Sequence, residues 1–171
     1  MVNKGFSLFE LLVTIAAFVL FITLIVPKFN FINKFILQNE VDKLFTIFSY
    51  LQQKAIAANI EHTLLFDLNK KTYEYCQTEY KLPEKINFGI LPGVLGPPAK
   101  PRKIIKEPIL FEKLSDKIFR VIFYPDGNIS SGSIFFVDIK KNYLMSLSCP
   151  VSPFSCIRKY KYENSQWVLL K

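Results

Sequence analysis

From Phe6 to Val26 the chain runs for 21 residues with a single charged side chain, the carboxylate of Glu10. At about 1.5 Å per residue a helix of that length spans roughly 30 Å, enough to cross a bilayer core. Apolar residues occupy every side of it, so it has no wet face. Such a helix belongs in lipid or inside a bundle. Pro27 and Lys28 close the run. A secretory signal fits poorly, because the charged leader is very short and the run exceeds an h-region of about 7–15 residues. A plain anchor fits the length, with Lys4 and the amino terminus held on the cytoplasmic side. It leaves Glu10 unexplained, since a carboxylate at the centre of a spanning helix costs roughly 2.5–3.5 kcal/mol, and less near its end. Snorkelling to the headgroups, or protonation, is one answer.

A second answer joins Glu10 to the chain start. If a protease cuts between Gly5 and Phe6, the new amine at Phe6 is a cation four residues from Glu10 on the same helix. When such helices pack side by side, Glu10 of one subunit can meet the amine of its neighbour. Two groups that are each costly in hydrocarbon then neutralise one another. The pairing would set the axial register of the subunits, as a buried polar group does in a coiled coil.

The residues Lys4-Gly5-Phe6-Ser7-Leu8-Phe9-Glu10-Leu11-Leu12-Val13 resemble the class III prepilin signal of type IV pilins and type II secretion pseudopilins. The resemblance implies cleavage after Gly5 by the prepilin peptidase and methylation of the new amino-terminal Phe6. It implies that Glu10, the fifth mature residue, is the assembly glutamate, and that Pro27 bends the helix at the exit of the apolar run. The segment contains no glycine, which many major pilins have. The implied location is the bacterial inner membrane, crossed once, with the remainder in the periplasm or another extracytoplasmic space. The implied partners are other pseudopilins or minor pilins and the inner-membrane assembly platform.

Beyond Pro27 the period changes. Leu37, Val41, Leu44, Phe48, Leu51 and Ala55 recur in steps of three and four, with Phe45 and Ile56 widening the stripe. The spacing predicts an amphipathic helix over residues 28–59. Joined to the apolar run it makes one helix, roughly 80 Å long and bent at Pro27. The remainder, 60–171, reads as β. Thr63–Asp67 and Thr72–Cys76 flank a hairpin turn. Phe119–Tyr124 runs into Pro125-Asp126-Gly127-Asn128, a turn sequence. Ser133–Ile139, Tyr143–Ser148, Ile157–Tyr162 and Trp167–Leu170 follow as strands. The expected fold class is α+β: a leader at 1–5, a membrane or filament-core helix at 6–27, its amphipathic continuation at 28–59, and one antiparallel sheet packed on that helix, as in the pilin fold. Ser49–Asn59, Phe123–Gly127 and Ser133–Phe136 are similar to stretches of the GspH/FimT group of minor pseudopilins.

The formal charge of +8 suits anionic partners, or equally an ordinary surface of solvated lysines. Gly89 to Pro108 holds three Gly, five Pro and the cations Lys100, Arg102, Lys103 and Lys106. It reads as a long structureless connection, either a plain surface loop or a partner-binding one. Cys149 and Cys156 enclose six residues. Outside the cytoplasm a disulfide across them is expected, leaving Cys76 free; two buried thiols are the alternative. In Arg158-Lys159-Tyr160-Lys161-Tyr162 bases alternate with aromatics, as in strands that contact nucleic acid or a partner. A half-buried strand with tyrosines inward and lysines outward has the same pattern.

Three cysteines with His62 as the lone histidine make a poor zinc set, so no metal or cofactor is expected. No glycine-rich phosphate loop, HExxH or GxSxG occurs. The expected function is structural, not enzymatic: a minor pseudopilin of a type II secretion-type pseudopilus. The alternative is a type IV pilus or competence minor pilin whose basic head binds DNA during uptake.

Overall fold

The computed structural model describes residues 7–25, 30–151 and 156–170. Two helices open the chain: α1, Leu8–Ile25, and α2, Asn30–Ala58. This corrects the expected long amino-terminal helix. The described residues form a short helix and a separate second one, and Pro27, with the bend assigned to it, lies outside them. Gly5 and Phe6 also lie outside the described residues.

α2 follows its period. Leu37, Val41, Leu44, Phe48, Leu51 and Ala55 are all completely buried, and each large member contributes about 1.5–3 kcal/mol by leaving water. The stripe widens at Ile47, which is buried, and not at Ile56, which is half exposed.

Among the described residues twelve strands follow: β1 His62–Asp67, β2 Thr72–Tyr75, β3 Thr78–Lys81, β4 Ile86–Phe88, β5 Leu95–Gly96, β6 Lys103–Ile104, β7 Glu112–Lys113, β8 Ile118–Phe123, β9 Gly132–Asp138, β10 Leu144–Cys149, β11 Arg158–Glu163 and β12 Gln166–Leu170. They do not form the single sheet expected. They form two five-stranded sheets, ordered β3-β2-β1-β8-β7 and β12-β11-β10-β9-β4, and a separate β5-β6 ribbon. The pairings are antiparallel. Length explains why one helix serves two sheets. α2 is about 44 Å long, whereas five strands at about 4.8 Å spacing are only roughly 20 Å across. Its stripe is therefore shared between Leu64, Phe66 and Phe123 of the first sheet and Ile134, Phe136 and Leu147 of the second, in one continuous core.

Local chemistry closes the connections. Asp67 Oδ1 accepts from the N–H groups of Asn69 and Lys70 at 2.8 and 3.1 Å, turning β1 into β2. Asp138 Oδ1 accepts from Asn142 and Tyr143, both at 2.7 Å, and closes the β9–β10 turn. Gly127, at φ +84°, completes the Pro-Asp-Gly turn, and Gln52 of α2 donates to its carbonyl at 2.7 Å.

The 89–108 segment is not structureless. Val94 and Ile105 pack on Phe135, Val137 and Leu144, on the face of the second sheet away from α2. Trp167 donates its indole N–H to Leu95 O at 2.7 Å. Proline and glycine content signalled a loop, yet the apolar residues among them found a sheet to cover.

Candidate functional site: an exposed apolar helix with one carboxylate

α1 differs in kind from the rest of the molecule. Every side chain described along it, from Leu8 to Thr23, is exposed, Leu8 to 82% and Phe18 to 71%. The apolar character continues around the helix, and Thr14, Ala17, Phe18, Phe21 and Ile22 line a shallow groove on it. The hydroxyls present need no outside partner: Thr14 donates to Leu11 O and Thr23 to Leu20 O, both at 2.8 Å. No helix among the described residues is long and apolar enough to cross a membrane.

Glu10 sits in the first turn of α1. Its Oε2 accepts from the Ser7 backbone N–H at 3.1 Å, and Ser7 Oγ accepts from the Glu10 N–H at 3.2 Å. This reciprocal pair is a capping box, with Ser7 as N-cap and Glu10 at the third helical position. It satisfies two donors that would otherwise be orphaned at the helix start. The carboxylate thus has a local role that electrostatic reasoning about neighbours did not supply. The Ser-x-x-Glu spacing was present in the sequence and signals that role.

The three basic residues of β11 do not act as one patch. Lys159 Nζ lies 2.6 Å from Asp42 of α2 and 4.9 Å from the Phe45 ring centroid. Lys161 pairs with Glu163 at 2.5 Å. Arg158 is exposed. Tyr160 is buried and, with Tyr162, meets Trp167 edge-on on the opposite face of the strand. Sequence spacing could not reveal Asp42, which lies 117 positions from its partner.

The cysteines are all free thiols in this structure. Cys149 is buried at the end of β10, and burial, with a smaller push from nearby Cys156, moves its thiol up to about 12. Residues 152–155 of the intervening loop lie outside the described residues. Cys76 is exposed in the β2–β3 turn, with Lys54 Nζ 3.3 Å from its sulfur. His62, at the start of β1, leaves its Nε2 buried without a hydrogen-bond partner. Among the described residues no three His, Cys, Asp or Glu side chains gather where they could hold a metal ion.

Elsewhere the core carries one buried acid on α2, Glu40, which accepts from the Tyr73 hydroxyl at 2.9 Å. Burial first, and then this carboxylate, holds the Tyr73 phenol well above its ordinary range. The pair ties α2 to the first sheet. Comparison with known proteins adds no identification: no protein-family model, curated protein or solved structure matches the chain.

Proposed function

We propose that the chain is a structural subunit of a pseudopilus or related filament, a minor pseudopilin-type protein that assembles through α1. The observation that carries this reading is α1 itself, exposed and apolar along its described length, beside domain helix α2, whose apolar stripe is fully covered. So large an apolar surface needs lipid or neighbouring copies around it. In this reading the prepilin peptidase removes residues 1–5 and methylates Phe6. The run Phe6–Val26 keeps the subunit in the inner membrane until assembly, and the β-rich part stands outside the cytoplasm. The assembly platform and other pseudopilins or minor pilins are its partners.

The capping box is compatible with an intersubunit role for Glu10. A carboxylate offers about four acceptor positions. Oε2 serves Ser7, and Oε1 remains to receive the freed amine of a neighbour. Register is then set where the helix start is already ordered.

The direct test is the mass of the protein recovered from its native membrane. Removal of residues 1–5 with one added methyl group is expected, and Gly5→Leu should retain the leader. Recovery of the parent protein still beginning at Met1 refutes the assignment.

A further inference from the structure

At one end of the second sheet, on the face away from α2, three strands bring polar groups into line. The registers Ser133↔Ser148 and Ser148↔Arg158 place hydroxyl, hydroxyl and guanidinium side by side across β9, β10 and β11. Directly opposite residues in paired strands point to the same face. The two serines are buried and joined, Oγ to Oγ, at 2.8 Å, and Ser146 extends the chain at 3.3 Å. Over this row lies a cleft of about 500 Å³. Pro97, Ala99 and Lys100, from the tip of the β5–β6 ribbon, line it together with Pro150, Val151 and Arg158.

The charge of this cleft is one-sided. Lys100 and Arg158 both line it, and none of the described lining residues is acidic. Neither cation has a carboxylate partner among the described residues, whereas Lys159 and Lys161 of the same strand do; the Arg158 guanidinium meets the side chains of Tyr160 and Cys156, which leave its charge without a carboxylate. The back of the cleft is held rigidly. A side chain at Gly132 would meet the Phe111 ring at 2.5 Å, so the 110–111 segment lies directly against β9. Leu110 N–H donates to Ser133 O at 2.8 Å, fixing that contact.

We propose that this cleft is a docking site for an acidic peptide segment of a partner protein, with a carboxylate held between Arg158 and Lys100 above the serine row. A guanidinium presents a planar fork that matches a carboxylate, and an ammonium adds a movable second charge. The apolar residues Pro97, Pro150 and Val151 that line it suit an aliphatic side chain beside that carboxylate. A nucleic-acid backbone is a poorer fit. It needs several open cations in a row, and the cations lining this cleft are Lys100 and Arg158, since Lys159 and Lys161 lie on the other face of β11 and pair with Asp42 and Glu163. The inference stands apart from the filament reading, because α1 contributes nothing to the cleft.

The test uses the full chain and a fluorescein-labelled peptide of alternating glutamate and leucine, with binding followed by anisotropy. Saturable binding is expected, weakened about tenfold or more by Arg158→Gln and by Lys100→Gln, since each removes a charged hydrogen-bond donor from the carboxylate. Lys81→Gln, in β3 of the other sheet, is the control and should bind like the parent. Circular dichroism confirms that each variant is folded. The proposal is overturned if the two cleft variants bind as tightly as the control. It is equally overturned if the peptide shows no saturable binding, or if a labelled thymidine strand binds more tightly than the peptide at the same salt and is lost with Arg158→Gln.

Discussion

One pair of substitutions separates the cap that Glu10 makes within its own chain from the intersubunit pairing proposed for it. Within its own chain it accepts from Ser7 N–H at 3.1 Å; between chains it is proposed to meet the amine at Phe6. Glu10→Gln keeps an amide oxygen at the same position, so the capping box survives. The variant loses the negative charge at the helix start, about 0.3–1 kcal/mol. Glu10→Leu removes the acceptor as well, and loss of a cap costs about 0.5–2 kcal/mol. Capping alone therefore predicts a graded series, with Gln near the parent and Leu well below it. A charge pair between subunits predicts something else. A hydrogen bond between charged groups contributes about 1.5–3 kcal/mol, and in hydrocarbon the unpaired amine adds its own cost. Gln should then fall at least about tenfold in filament incorporation, close to Leu. The assay is the ratio of each variant in sheared filaments to that in the membrane pool, by quantitative immunoblot. Membrane levels are the control and should stay equal. If Glu10→Gln assembles within about twofold of the parent, the carboxylate is a helix cap and the register argument is wrong.

Two further expectations concern the head. Phe48 is completely buried, edge-on to Phe123 at 5.3 Å and tilted against Phe111 at 6.3 Å. Phe48→Ala should cost about 3–5 kcal/mol. Urea unfolding followed by Trp167, the single tryptophan, would show its midpoint fall by about 1 M or more; a shift under about 0.3 M would contradict the central place given to Phe48. The thiols should differ in reactivity. Burial lifts the Cys149 thiol to about 12, so at neutral and mildly alkaline pH it is overwhelmingly protonated, and there its alkylation should become fast only as the fold is lost. Exposed Cys76 should be modified first by iodoacetamide under native conditions, and mass spectrometry of the digest checks the order.

Much of the local structure was legible in the residues. The period of three and four in Leu37–Ala55 marked the buried face of α2, because a helix returns a side chain to the same side every 3.6 positions, whatever lies opposite. The strands around the Asp67 and Gly127 turns were legible for a similar reason. Asp and Gly act on backbone within two or three residues. The capping box is equally local, because Ser7 and Glu10 act on each other's backbone within one turn. Less was legible at Gly89–Pro108, where Val94 and Ile105 are too sparse to show a period but are enough to anchor a ribbon.

The candidate sites divide along the same line. α1 and its carboxylate could be read from the chain, since a run without a wet face and a Ser-x-x-Glu start are statements about neighbours in sequence. Two helices in place of one, and two sheets in place of one, could not. Nor could the row Ser133–Ser148–Arg158, or the meeting of Lys159 with Asp42. These depend on which strand pairs with which and in what register, and a shift of one residue would send each side chain to the other face. Helical period and capping are enforced by backbone geometry over a few residues. Strand pairing is backbone hydrogen bonding between distant segments, which nearly any side chain permits, so its outcome is settled by how well the whole set of apolar faces can be covered at once.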